Sequence, residues 1–162
     1  MNKHWTKLLV ASLAFLATAA MAQEAAVYRP FVLASVSESG LEQQAALTTA
    51  ALEAAGFTVA GQYAPLDNTR VIVVTSPELQ AVAASSERGG YGAAQRISLS
   101  ERDGKTEVAF VNPLYIQHAY RLGGNLQPVL DHLVGALGRV EEFGAEKGLT
   151  AKKLAKYHYM VG

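Results

Sequence analysis

The 162-residue sequence predicts a two-layer α+β domain, a mainly antiparallel sheet of about five strands covered by helices. Three observations predict it. Apolar runs of strand character stand at 31–36, 57–63 and 71–74 and on both sides of Arg102-Asp103-Gly104. Helical periodicity separates some of these runs and tight turns separate others, so the order reads β-α-β-β-α-β-β and then helices. Mixing hairpins with crossover helices points away from a doubly wound sheet. Third, half the residues are apolar and none is cysteine, so an apolar core and not disulfides must hold the fold.

Each element has its own signal. "FVLASV" at 31–36 opens the sheet. "SESGLEQQAALTTAALEAAGF" is the strongest helix: Ser39 and Glu42 have capping-box spacing, and Leu41, Ala45, Thr48, Leu52 and Ala55 fall on one face. Gly56 supplies a left-handed stop. "FTVAGQY" leaves the helix as a strand, "PLDN" turns it, and the β-branched run at 71–74 returns as a buried strand. Ser76-Pro77 is an N-cap followed by proline at the first helical position, opening a short helix to about residue 85.

The glycine-containing stretch "SERGGYGAA" breaks that helix. "AQRISLSE" and "KTEVAFVN" then form a hairpin around Asp103-Gly104, where both turn positions need positive φ. Asn112-Pro113 starts the helix "LYIQHAYRL", ended by Gly123-Gly124. Asn125 caps a further helix with the stripe Leu126, Val129, Leu130, Leu133, Val134 and Leu137, stopped at Gly138. Residues 139–162 read as a polar, glycine-broken segment and a last helix capped by Thr150, outside a single domain spanning 23–138.

The first 22 residues read as a cleaved signal peptide. Lys3 and Lys7 precede an apolar run from Leu8 to Ala20, which closes on the small-x-small site Ala20-Met21-Ala22. The run is shorter than the roughly 20 residues that span a bilayer. Export to a periplasm follows as the expected address, with no stable membrane insertion after cleavage. The 14 basic and 14 acidic residues balance, and losing Lys3 and Lys7 leaves a slightly acidic mature chain. With no basic stripe, nucleic acid is excluded as a partner.

The stretch from "GLEQQAALTTAALEAAGF" through Ser76-Pro77 and the glycine loop to "VAFVNPLYIQHAYRL" resembles the family known as domain of unknown function 302. The shared pattern is a long helix ending in Gly56-Phe57, a Ser-Pro helix start, and a hairpin closing on Asn112-Pro113. It covers roughly residues 31–122. The resemblance implies an α+β sandwich that often pairs into homodimers, and it implies no activity. Many members carry a central cysteine that this chain lacks, which removes any thiol role. The tail "FGAEKGLTAKKLAKYHYM" looks like a segment past which exported relatives continue, so the resemblance raises an early stop.

Three groups of residues carry candidate chemistry. In "ERGGYGAAQR", Arg88, Tyr91 and Arg96 are able to contact an anion or a ring. No helix and no lysine follow the glycines, so this is not a phosphate loop, and a flexible connector is the ordinary reading. "NPLYIQHAYRL" carries Tyr115, His118, Tyr120 and Arg121 on one short helix, with Tyr115, His118 and Arg121 neighbours at helical spacing, and makes one wall of a ligand pocket, unless the tyrosines simply cover a core edge. At the end of the chain His158 and Met160, with His118, offer imidazole and thioether to copper or haem, although a two-residue spacing splits them on a helix. His132 belongs at the solvent edge of its helix, and no Gly-x-Ser-x-Gly elbow exists.

The sequence therefore supports an exported, non-enzymatic binding or accessory module first. Its partner is left open between a second copy and another periplasmic protein. A periplasmic copper or haem binder and a small-molecule enzyme with a Tyr/His/Arg pocket are the alternatives.

Overall fold

The fold is described from a computed structural model and covers residues 25–156. Eight strands and five α-helices follow one another as β1 (Val27–Tyr28), β2 (Phe31–Ser37), α1 (Leu41–Ala54), β3 (Thr58–Leu66), β4 (Thr69–Thr75), α2 (Pro77–Ala84), β5 (Gln95–Arg102), β6 (Lys105–Val111), α3 (Pro113–Ala119), α4 (Gln127–Leu137), β7 (Glu141–Phe143), β8 (Leu149–Thr150) and α5 (Ala151–Ala155). A 3-10 turn, Gly89–Gly92, lies between α2 and β5. The main sheet is fully antiparallel in the order β3-β4-β5-β6-β2-β7, and β1 pairs with β8 in a separate ribbon. This is an α+β fold with a largely antiparallel sheet, as expected, with six strands in place of five.

Strand alternation sorts the sheet into two faces. On one face Ile72, Ile97, Phe110 and Val32 stand side by side across β4, β5, β6 and β2, each at most 1% exposed. Val74, Leu99 and Val108 flank them. The buried stripe of α1 (Leu41, Ala45, Thr48, Leu52) and that of α4 (Val129, Leu130, Leu133) join this face in one core. On the other face Val71, Val73, Ser98, Ala109, Val111 and Leu33 are only half-buried. Phe31, Tyr63, Leu66 and Val36 share that face with them by register and are exposed. α1 and α4 thus cover one side of the sheet.

The turn and cap chemistry is realised where it is most local. Asp103 (φ 50°) and Gly104 (φ 75°) close the β5–β6 hairpin. The Ser76 hydroxyl accepts from the Leu79 amide at 3.3 Å, with Pro77 at the first helical position. Asn112 accepts from the Leu114 amide at 3.0 Å, whereas Asn125, expected to cap α4, only closes a turn by accepting from the Gln127 amide at 2.9 Å, and Leu126 is the N-cap with no side-chain cap.

Three further expectations are corrected. Gly40, not Ser39, is the N-cap of α1, and no side chain caps it. The Thr106 hydroxyl holds the Ser39 carbonyl at 2.8 Å instead, and Glu42 pairs with Arg70 across to β4. The strand after α1 continues to Leu66, because Pro65 lies on the edge strand, where a missing amide costs no ladder bond. The tail after residue 138 is not a polar appendage: Glu141–Phe143 adds the sixth strand, and Leu154 of α5 is buried.

These caps separate by mutation. Ser76→Ala is expected to cost about 1 kcal/mol of stability. Ser39→Ala, which removes no side-chain bond, should stay within about 0.5 kcal/mol. Urea unfolding of the two variants beside the wild type checks the difference, and equal losses would restore Ser39 as a cap.

Candidate functional site

A pocket of about 270 Å³ opens at one end of the sheet. Its floor comes from the half-covered face, where Val73 on β4 pairs with Arg96 on β5 and Val111 ends β6. Ile116 and Tyr120 from the α3 segment form one wall, and Tyr91 and Ala94 from the 3-10 loop form the other. Gln95, the first residue of β5, completes the lining.

Local sequence explains how these groups meet. Asn112 and Pro113 start α3 immediately after β6, so its first turns lie against the strand ends. Ile116 and Tyr120 are four residues apart and therefore share a side of the segment. The loop is a packed turn and not a loose connector. Gly89 and Gly92 are buried, and a Cβ on Gly89 would run into the Ala83 backbone of α2, while one on Gly92 would lie 2.5 Å from Leu122. Ser86 ties the same region together, donating to the Val82 carbonyl at 2.7 Å and accepting from the Gly123 amide at 2.8 Å. With the loop clamped this way, Tyr91 is 74% exposed yet its ring lies 5.9 Å from that of Tyr120, tilted by 38°.

Two polar groups in the lining are unusual. Gln95 is 1% exposed, and neither its Oε1 nor its Nε2 has a hydrogen-bond partner. Leaving one such atom unpaired in a core costs about 1–3 kcal/mol. Arg96 is exposed and takes part in none of the ion pairs formed by Arg70, Lys105 and Arg139. Among the described residues no carboxylate, imidazole or thiol lines the pocket.

Of the residues singled out from the sequence, Tyr91 and Arg96 line this pocket. Arg88 holds a left-handed conformation (φ 57°) at the head of the 3-10 turn, outside the lining. Tyr115 is half-buried on α3 and is not part of the lining. His118 stacks on Tyr28 of β1, ring centroids 4.7 Å apart, and Arg121 donates to the Ala155 carbonyl of α5 at 3.1 Å. Tyr115, His118 and Arg121 therefore do not converge with Tyr91 on one cleft. His158 and Met160 lie outside the described residues. Among the described residues no three His, Cys, Asp or Glu side chains gather to hold a metal, and His132 is exposed on α4 as expected. No helix among them is long and apolar enough to cross a membrane.

Sequence reasoning missed Gln95, while Tyr120 stands on the helix it offered as a pocket wall. Gln95 had a signal: it sits two residues before Ile97 and four before Leu99, in the buried phase of its strand. No family model, curated protein or solved structure matches this chain.

Burial lowers the His118 pKa below its ordinary value. The unfolded chain then takes up this proton first as the pH falls, so stability drops below pH about 6.5. His118→Phe keeps a ring against Tyr28 with nothing to protonate. Between pH 7.5 and 5.5 its melting temperature should fall less than that of the wild type, and parallel losses would mean that His118 does not contribute.

Proposed function

We propose that this chain is an exported, non-enzymatic binding module that takes a small ligand into the pocket between Tyr91 and Tyr120. The observation that carries the reading is the pair of rings Tyr91 and Tyr120, 5.9 Å apart, above a floor of Val73 and Val111 with the exposed Arg96 beside it. The rest of the lining suits binding over catalysis. Apolar side chains and two rings surround a few polar groups, the usual make-up of a ligand site. Among the described residues the lining presents no carboxylate, imidazole or thiol to act as a general base. Export to the periplasm belongs to this proposal and rests on the basic start, apolar run and Ala20-Met21-Ala22 site.

A second observation favours self-association. Phe31 and Phe143 are exposed side by side, ring centroids 5.4 Å apart, on the sheet face opposite α1 and α4, and Val36, Tyr63 and Leu66 lie exposed on the same face. A second copy placed by a two-fold axis would cover it with the same patch. On this reading the protein sediments as a dimer at micromolar concentration and Phe143→Lys converts it to a monomer. A monomeric wild type would dismiss it.

The binding reading is tested by a fragment screen on 15N-labelled protein. Amide shifts should cluster at Tyr91, Gln95, Arg96, Ile116 and Tyr120. Ala94→Phe, which plugs the pocket from its exposed rim, should weaken every such fragment at least tenfold. Shifts that map elsewhere, or that survive the plug, would remove the pocket from consideration.

A further inference from the structure

We infer that a second copy of this chain docks on the sheet face opposite α1 and α4, about a two-fold axis lying across the strands, so that Arg96 of each copy pairs with the partner's Glu107. The inference rests on the self-association reading above and specifies its geometry. Register sorts this face into rows. Val73, Arg96 and Val111 stand level with Phe31 in the first. Leu33, Ala109, Ser98, Val71 and Tyr63 make the middle row. Val36, Glu107, Ser100, Thr69 and Leu66 make the third. The first row therefore carries one cation, the third one acid, and the stretch from β2 to β3 between them carries no charge.

Neither charge is answered within the molecule. Arg96 is exposed and Glu107 half-buried, and among the described residues neither makes an ion pair or a hydrogen bond. Four residues of β5 separate their levels, about 13 Å of strand, too far for one to reach the other. The other charges of this face lie at its rim. Glu141 is on β7, and Arg102 and Lys105 flank the hairpin turn, where Lys105 pairs with Glu38. A two-fold across the strands, through the middle row, exchanges the first and third rows. Each Arg96 then faces the partner's Ser100, with the partner's Glu107 one strand to the side, about 4.8 Å away and within reach of a guanidinium. Phe31 meets the partner's Val36 and Tyr63 the partner's Tyr63, so exposed apolar groups cover one another. A two-fold along the strands keeps each row on itself and sets like charges together, which repel. Shape selects the same axis. The pocket walls from α3 and the 3-10 loop stand at the first row. An axis across the strands lays each copy's walls over the other's third row, which forms no part of the pocket. An axis along the strands drives wall into wall.

Sedimentation velocity of the purified protein, with native mass spectrometry beside it, tests this. The wild type should be a dimer, and Arg96→Glu and Glu107→Arg should each weaken association by roughly tenfold or more. Neither side chain is buried, so both variants should keep the wild-type circular dichroism spectrum. An equimolar mixture of the two should then form a heterodimer, because opposite charges meet at both contacts. Neutral variants keep the test open where a reversal fails to fold. Arg96→Gln and Glu107→Gln should each weaken the dimer, and the two together should weaken it no more than either alone. A wild-type dimer that no charge variant weakens would overturn this orientation and leave self-association standing. Folded reversal variants that fail to combine, or neutral variants whose effects add in full, would overturn the pairing of Arg96 with Glu107. A monomeric wild type would overturn both the orientation and the self-association reading.

Discussion

Because the strands of this sheet alternate with a strict period of two, and because α1 and α4 press on only one side, every residue of β4, β5 and β6 is committed to one of two environments. The row Ile72, Ile97, Phe110 and Val32 fixes which. Each of these side chains gains about 1.5–3 kcal/mol on leaving water, and a slip of one residue would turn that strand's contribution outward. No turn or cap in the molecule has comparable leverage. Once the row faces α1 and α4, Val73, Arg96 and Val111 must face the other way, and the floor of the pocket is set. The pocket is thus a consequence of covering a sheet on one side and ending that cover at α3.

The same constraint makes Gln95 informative. In strand phase it belongs with Ile97 and Leu99, and a leucine there would extend the core without conflict. Among the described residues Thr48 is the other buried group without a partner, its hydroxyl within the stripe of α1. Gln95 borders the pocket from its strand, but its carboxamide turns with Ile97 and Leu99 to the core side and is closed to solvent.

Much of the fold was legible because its signals are local. Asp103-Gly104, Ser76-Pro77 and Asn112-Pro113 specify backbone angles and amide partners within a few residues, and each behaves as its chemistry requires. The strands Val27–Tyr28, Glu141–Phe143 and Leu149–Thr150 were not legible, because two or three residues carry no period of their own and exist only through a partner distant in sequence. The capping box failed for a related reason: Glu42 had a better-placed cation in Arg70, 28 residues away. In the site, Tyr91 and Arg96 stood out by residue type. Tyr120 did not, since helical spacing grouped Tyr115, His118 and Arg121 with equal force. Tertiary contacts with β1 and α5 draw His118 and Arg121 away from the pocket.

The glycines of the loop decide how ready the pocket is to bind. A flexible arm carrying Tyr91 would have to be ordered at each encounter, at about 0.5–1.5 kcal/mol for each side chain immobilised, before any contact was gained. Gly89 removes much of that cost by letting the turn lie directly on the Ala83 backbone, where no other residue fits. Ser86 and Gly92 then fasten the turn to the segment that follows α3. The two walls of the pocket, one from the loop and one from α3, are thereby joined to each other as well as to the sheet. The backbone beneath Tyr91 and Tyr120 is set before a ligand arrives. A glycine-rich stretch that would ordinarily signal mobility here does the reverse, because its glycines are used for close approach and not for freedom.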